Sequence, residues 1–110
     1  MTVLERHGSV FVLHPNGPLR HDCIEDLDER IRQSISLGVP LVVLDLCETA
    51  LIDGAGLEWI LALDEECCRR GGCVRLCGVG ELCADLLRIT AVGSTVQQFE
   101  NLESALGSFA

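Results

Sequence analysis

With 110 residues, 11.9 kDa and 48% hydrophobic residues, the chain has apolar material for one packed core and too little length for two, so it reads as a single domain over residues 1–110. Seventeen acidic residues against eight basic ones give a net charge of −9, which excludes nucleic acid as the natural partner because no basic cluster offsets the repulsion from phosphates. No run approaches the roughly 20 apolar residues that cross a bilayer, and the first residues carry no basic stretch leading into a hydrophobic one, so a cytoplasmic protein is expected.

Taken in chain order, Thr2 to Arg6 and Ser9 to His14 are short apolar or alternating runs around His7-Gly8, the pattern of a β-hairpin with a tight turn. Pro15-Asn16-Gly17-Pro18 ends the second strand. From Asp22 the period changes: Ile24, Leu27, Ile31 and Ile35 share one helical stripe, and Asp22 and Glu25 have the spacing of an N-cap and a third helical residue. Gly38 and Pro40 stop this helix. Leu41 to Leu46 is almost continuously apolar, as expected of a parallel strand covered on both faces.

Asp53-Gly54-Ala55-Gly56-Leu57 then marks a sharp turn opening a second helix, from about Gly54 to Arg70, expected to carry Leu57, Ile60, Leu61 and Cys68 inward. Gly71-Gly72 ends it, with Arg69 and Arg70 in the last turn, where cations complement the helix dipole. Cys73 to Cys77 reads as a strand. Glu81 to Ile89 reads as a helix with Leu82, Leu86 and Ile89 on one side, Thr95 to Phe99 as the last strand, and Asn101 as the cap of a helix containing Leu102, Ala105 and Leu106. Helices alternating with strands after a hairpin imply a mostly parallel sheet with an antiparallel edge.

Seven cysteines, an odd number, lie mostly inside hydrophobic periodic segments and read as reduced thiols serving as small apolar residues. Cys73 and Cys77 share a strand face, yet four residues along a strand span about 13 Å and cannot hold one ion. No metal or cofactor is expected. The Cys67-Cys68 pair leaves a thiol redox role open. His7, His14 and His21 recur every seven residues but fall on a turn, a strand end and a helix entrance, and none accompanies a nucleophile signature, so no enzyme activity is expected. Asp53 reads either as the cap of the second helix or as a direct partner contact. Gly54 and Gly56 either permit the turn or expose amides to an anion. Glu25, Asp26, Asp28 and Glu29, like Asp64, Glu65 and Glu66, read as solvated helix faces or as a docking patch, and Trp59 as a core or half-buried residue or as an interface anchor.

Five segments in order resemble the STAS domain, the family of anti-sigma factor antagonists and their relatives. They are Gly17-Pro18-Leu19 before the first helix, Leu41-Val42-Val43-Leu44-Asp45-Leu46, Ile52-Asp53-Gly54-Ala55-Gly56-Leu57, the Arg70-Gly71-Gly72 helix stop, and the closing Phe99-Glu100-Asn101-Leu102-Glu103-Ser104-Ala105-Leu106. The resemblance spans nearly the whole chain. It implies an α/β, STAS (SpoIIAA-like) fold, a mixed and mostly parallel sheet with an N-terminal antiparallel hairpin, covered by helices. It also implies a bacterial regulator of transcription that acts by protein binding.

In the family, Asp-Ser-Ser-Gly opens the second helix, and the serine after the aspartate accepts phosphate from a partner kinase that doubles as an anti-sigma factor. A phosphate there adds about −1.5 to −2 charge to the contact surface. Here Gly54 and Ala55 bring no hydroxyl, so no phosphoacceptor stands at this motif. Antagonists also follow Gly-x-Leu with an aspartate where this chain has Arg20, a charge reversal that selects among partners. The partner surface implied by the resemblance is Arg20, Thr49, Asp53, Gly54, Ala55, Leu57 and Glu58. The partner is an anti-sigma factor and serine kinase of the histidine-kinase-like ATPase type. A lipid-asymmetry ABC transporter offers a second class of partner: some of its STAS subunits carry Asp-x-Ala-Gly-Leu at this turn and bind the transporter ATPase. A thiol-based sensor on the same fold is a third reading.

Overall fold

Apolar runs on either side of Gly8 pair as a hairpin in the computed structural model, which describes residues 2–35 and 38–109. Strand β1 (Val3–His7) lies antiparallel to β2 (Val10–His14), with Val3 opposite His14 and His7 opposite Val10. Gly8 takes the left-handed φ of 64° that this two-residue connection requires.

The remaining strands, β3 (Leu41–Asp45), β4 (Cys73–Cys77) and β5 (Gln97–Phe99), extend the sheet in parallel, in spatial order β1-β2-β3-β4-β5. Parallel neighbours need crossovers. These are α1 (His21–Ser34), α2 (Gly54–Arg69), and the pair α3 (Glu81–Arg88) and α4 (Ala91–Thr95), while α5 (Leu102–Gly107) closes the chain.

Both sheet faces are covered, which is why the central strand has no polar alternation. On one face Leu13, Val42, Leu44, Val74 and Leu76 meet Leu27 and Ile31 of α1, Ile60 and Leu63 of α2, Leu87 of α3 and Val92 of α4. On the other, Val10, Val12, Val43 and Cys77 pack with Ala105 of α5, flanked by Leu102, Leu106 and Phe109. No helix among the described residues is long and apolar enough to cross a membrane.

Four expectations change. The first helix begins at His21 with Arg20 in the N-cap position and no side-chain cap from its own segment, so Asp22 is not the cap. Helix α4 occupies part of the expected last strand, which shortens to Gln97–Phe99. Cys67, not Cys68, is the buried cysteine of α2, and Asp64 is buried rather than solvated. Its Oδ1 accepts from the Val74 amide at 3.1 Å, tying the end of α2 to the start of β4. The core takes Cys83 and Leu87 of α3, while Leu82 and the C-cap residue Ile89, which the sequence groups on one side of this helix, stand in solvent.

Asp28 is also more than a surface charge. Its Oδ1 accepts from Trp59 Nε1 at 2.9 Å, and both its oxygens accept from Arg32 Nε at 2.8 Å. Arg32 reaches on to Glu66 of α2. One carboxylate on α1 thus satisfies the buried indole of α2 and orients a cation that grips α2 a second time.

Candidate functional site

The loop before α1 and the loop before α2 meet at the C-terminal edge of the sheet. A single parallel bridge joins them at Leu19 and Ile52: the Leu19 amide donates to the Leu51 carbonyl at 2.9 Å, and the Asp53 amide donates to the Leu19 carbonyl at 3.0 Å. Gly56 allows this approach. A Cβ at Gly56 would lie 2.5 Å from the Leu19 carbonyl oxygen, closer than any side chain tolerates.

Asp53 is the hinge pin of this arrangement. Its extended backbone places Oδ1 to accept from the Gly56 amide at 2.9 Å, capping α2, while Oδ2 accepts from the His21 amide at 3.1 Å at the start of α1. One carboxylate therefore caps two helices, and the first helix finds its missing cap 32 residues away. The Gly56 hydrogen bond, above all, holds the Asp53 carboxyl below the usual carboxylate range. With an anionic side chain already seated on the first amides of α2, the helix end has little to offer a second anion.

Around this pin the expected surface residues divide. Gly54 is exposed, and a Cβ built there meets nothing within 4 Å, so its lack of a side chain is not imposed by space, nor by a left-handed backbone. Glu58 is exposed one turn further on, with Ala55 half-buried beside it. Leu57 is half-buried against the core. Arg20 is exposed at the head of α1, its Nε 3.5 Å from Asp22 Oδ1. Thr49 leaves the surface: it is 4% exposed, and its Oγ1 lacks a hydrogen-bond partner among the described residues. The turn after β3 folds this threonine inward, where its carbonyl oxygen lies 3.8 Å from Cys83 Sγ.

A polar cluster on the opposite sheet face escaped the sequence reading. His14 Nδ1 lies 3.1 Å from Asp45 Oδ2, and the Cys47 amide donates to Asp45 Oδ1 at 3.2 Å. Glu5 Oε1 approaches the far side of the His14 ring at 3.5 Å. The signal was a charged residue ending an apolar run one strand away from a histidine. Burial and the neighbouring Asp45 carboxylate push the Cys77 thiol up to about 12, and burial pushes Cys67 up to about 11. Cys47, Cys68, Cys73 and Cys83 are raised as well, each chiefly by burial.

The family model for the STAS domain matches residues 1–105. The chain belongs to the STAS domain family. Among solved structures, an anti-sigma factor antagonist from Mycobacterium paratuberculosis is 21% identical with a TM-score of 0.86, over 98% of this chain and 92% of that one. The anti-sigma factor antagonist SpoIIAA in its unphosphorylated form is 17% identical with a TM-score of 0.83, over 99% and 96%. The murine anion transporter Slc26a9 carries a similar unit: 12% identity and a TM-score of 0.77 over 94% of this chain, but only 18% of the transporter. At these identities the likeness is one of fold. Among curated proteins, none matches the chain.

Proposed function

We propose that this STAS domain is a non-catalytic, antagonist-like regulator that binds a protein partner through the start of α2, and that this contact is not switched by phosphorylation of the loop. The observation that carries the reading is Gly54. It stands in the open at the end of a helix fixed by Asp53, where a partner can approach, and it has no hydroxyl to modify. The contact surface is Arg20, Gly54, Ala55, the exposed part of Leu57, and Glu58. Asp53 acts beneath it by holding the two loops together. Antagonist structures among the neighbours favour a kinase of the histidine-kinase-like ATPase type as the partner, and a cytoplasmic, transcription-regulating role follows from that choice.

The test is incubation with such an ATPase and ATP, followed by native and intact-mass spectrometry. A complex in which this chain keeps its unmodified mass is expected. Phosphate mapped to any serine or threonine of the chain would overturn the unswitched surface. A transporter reading keeps some support from the Asp53-Gly54-Ala55-Gly56-Leu57 turn and the transporter neighbour. Co-purification with an ABC ATPase in place of a histidine-kinase-like one would favour it. The thiol-sensor reading is weakened by the upward shift of six thiols, since the thiolate is the reactive form.

A further inference from the structure

Helices α1 and α2 leave from one point, because Asp53 accepts from the His21 amide with Oδ2 and from the Gly56 amide with Oδ1. Between them runs a groove of about 440 Å³, lined by Ile24 and Glu25 of α1 and by Ala55, Glu58 and Ala62 of α2. Positions 55, 58 and 62 recur at helical spacing and share one face of α2. Ala55 and Ala62 end at Cβ, which leaves the space between the helices open. Trp59 Nε1 donates to Asp28 Oδ1 across the groove, and beyond that bond Arg32 crosses from α1 to Glu66 of α2. The groove thus begins at Ala55, next to Gly54, and ends at a cation that the chain itself supplies.

The charges along this groove do not balance. Arg32 is held by Asp28 at 2.8 Å and by Glu66, whereas Glu25 and Glu58 are exposed and form no ion pair among the described residues. The His21 ring lines the same groove and pairs with neither. Two free carboxylates, one from each helix, therefore stand over an apolar lining, and such a surface is complementary to a cation on an aliphatic stem.

We infer that this groove receives an arginine side chain of the protein partner, its stem against Ile24, Ala55 and Ala62 and its guanidinium shared by Glu25 and Glu58. The inference rests on the reading of the α2 head as a partner surface and names what that surface takes. One cation has to serve carboxylates from two helices. A guanidinium offers five N–H donors in a planar fork, while an ammonium is a compact and strongly hydrated point charge. Arginine is also enriched at protein interfaces, where lysine is depleted. A metal ion would gain nothing from the apolar lining, and a second copy of this chain brings a charge of −9 against its own.

The first measurement needs no partner. N-acetyl-arginine amide is titrated into the isotope-labelled full chain and followed by NMR, alongside N-acetyl-lysine amide and the uncharged isostere N-acetyl-citrulline amide. Expected are saturable shifts of the Trp59 indole N–H and of the Ala55, Glu58 and Ala62 amides with the arginine compound and smaller shifts with lysine. Citrulline should cause none, and the Glu25→Gln/Glu58→Gln variant should lose the response to arginine. No shift in the groove, equal shifts with lysine or citrulline, or shifts that survive the double variant would overturn the inference. Displacement of the arginine compound by magnesium chloride with its own shifts at Glu25 and Glu58, or shifts at these residues on concentrating the protein alone, would also overturn it, in favour of a metal ion or a second copy.

The second measurement is calorimetry against the ATPase of the reading above. Glu25→Gln, which leaves every α2 residue in place, should bind at least tenfold more weakly than wild type with an unchanged melting temperature. Glu103→Gln on α5 removes the same charge elsewhere and should bind as wild type does. Equal losses in these two variants, or no loss in Glu25→Gln, would overturn the inference. Gly54→Asp separates the two readings. If it binds weakly while Glu25→Gln binds like wild type, the α2 reading stands and the groove fails; if the arginine compound fills the groove but no ATPase binds the wild-type chain, the arginine site stands and the ATPase reading fails.

Discussion

Removing the Asp28 carboxylate tests the α1–α2 joint in quantitative form. Asp28→Ala deprives Trp59 Nε1 of its acceptor at 2.9 Å inside a residue that is only 6% exposed, and a buried donor left unpaired costs about 1–3 kcal/mol. The same change frees Arg32 from a bidentate contact, but those side chains are 39% and 31% exposed, so that loss adds only about 0.3–0.5 kcal/mol. The sum is about 1.3–3.5 kcal/mol. At roughly 4 °C per kcal/mol for a chain of this size, the melting temperature should fall by about 5–14 °C.

A double-mutant cycle isolates the cause. In a Trp59→Phe background no indole donor remains, so Asp28→Ala should cost no more than about 0.5 kcal/mol, leaving a coupling of about 1–3 kcal/mol. Urea unfolding followed by circular dichroism measures all four corners. An equal cost of Asp28→Ala in both backgrounds would refute the indole argument and leave the Arg32 pair as the whole effect.

Further outcomes follow from the two loops. Because the Asp53 carboxyl titrates below its usual range, its stabilisation is present above the unfolded carboxyl's pKa and is lost as pH falls through the depressed folded value. Amide exchange at His21 and Gly56 should therefore accelerate together below about pH 4, while Ser104, whose amide is capped by the non-ionising Asn101 at 2.8 Å, should show no such step. Gly56→Ala forces a Cβ against the Leu19 carbonyl and should destabilise by about 1–3 kcal/mol. Gly54→Ala meets open space in the first turn of α2 and should be neutral or stabilising by up to about 1 kcal/mol. Chemical denaturation of both variants reads the contrast.

What the sequence reveals here depends on whether a residue's role is local. The buried strand expected over Leu41 to Leu46 and found at Leu41–Asp45, the Gly-bounded helices, the hairpin and the Asp53 and Asn101 caps all follow from patterns within a few residues, and the structure contains them. The second duty of Asp53 at His21, the Asp28–Trp59 bond and the Asp45–His14 pair join residues about thirty positions apart, and no spacing rule encodes them. Thr49 looked polar and available, but the turn after β3 directs it inward. In α3 two overlapping stripes, Leu82/Leu86/Ile89 and Cys83/Leu87, both satisfy helical periodicity, so the pattern itself does not decide which of them the fold buries.

Phosphotransfer to Gly54→Ser is the most direct test of the proposed partner surface, because a Cβ at this position meets nothing within 4 Å and a serine supplies the missing hydroxyl. With a histidine-kinase-like ATPase that binds the wild-type chain, and with ATP, Gly54→Ser should gain one phosphate at residue 54 and release the ATPase, while wild type stays bound and unmodified. A Gly54→Ser chain that binds the ATPase as wild type does but gains no phosphate at residue 54 would contradict the account, since the start of α2 would then not be the surface presented to that partner.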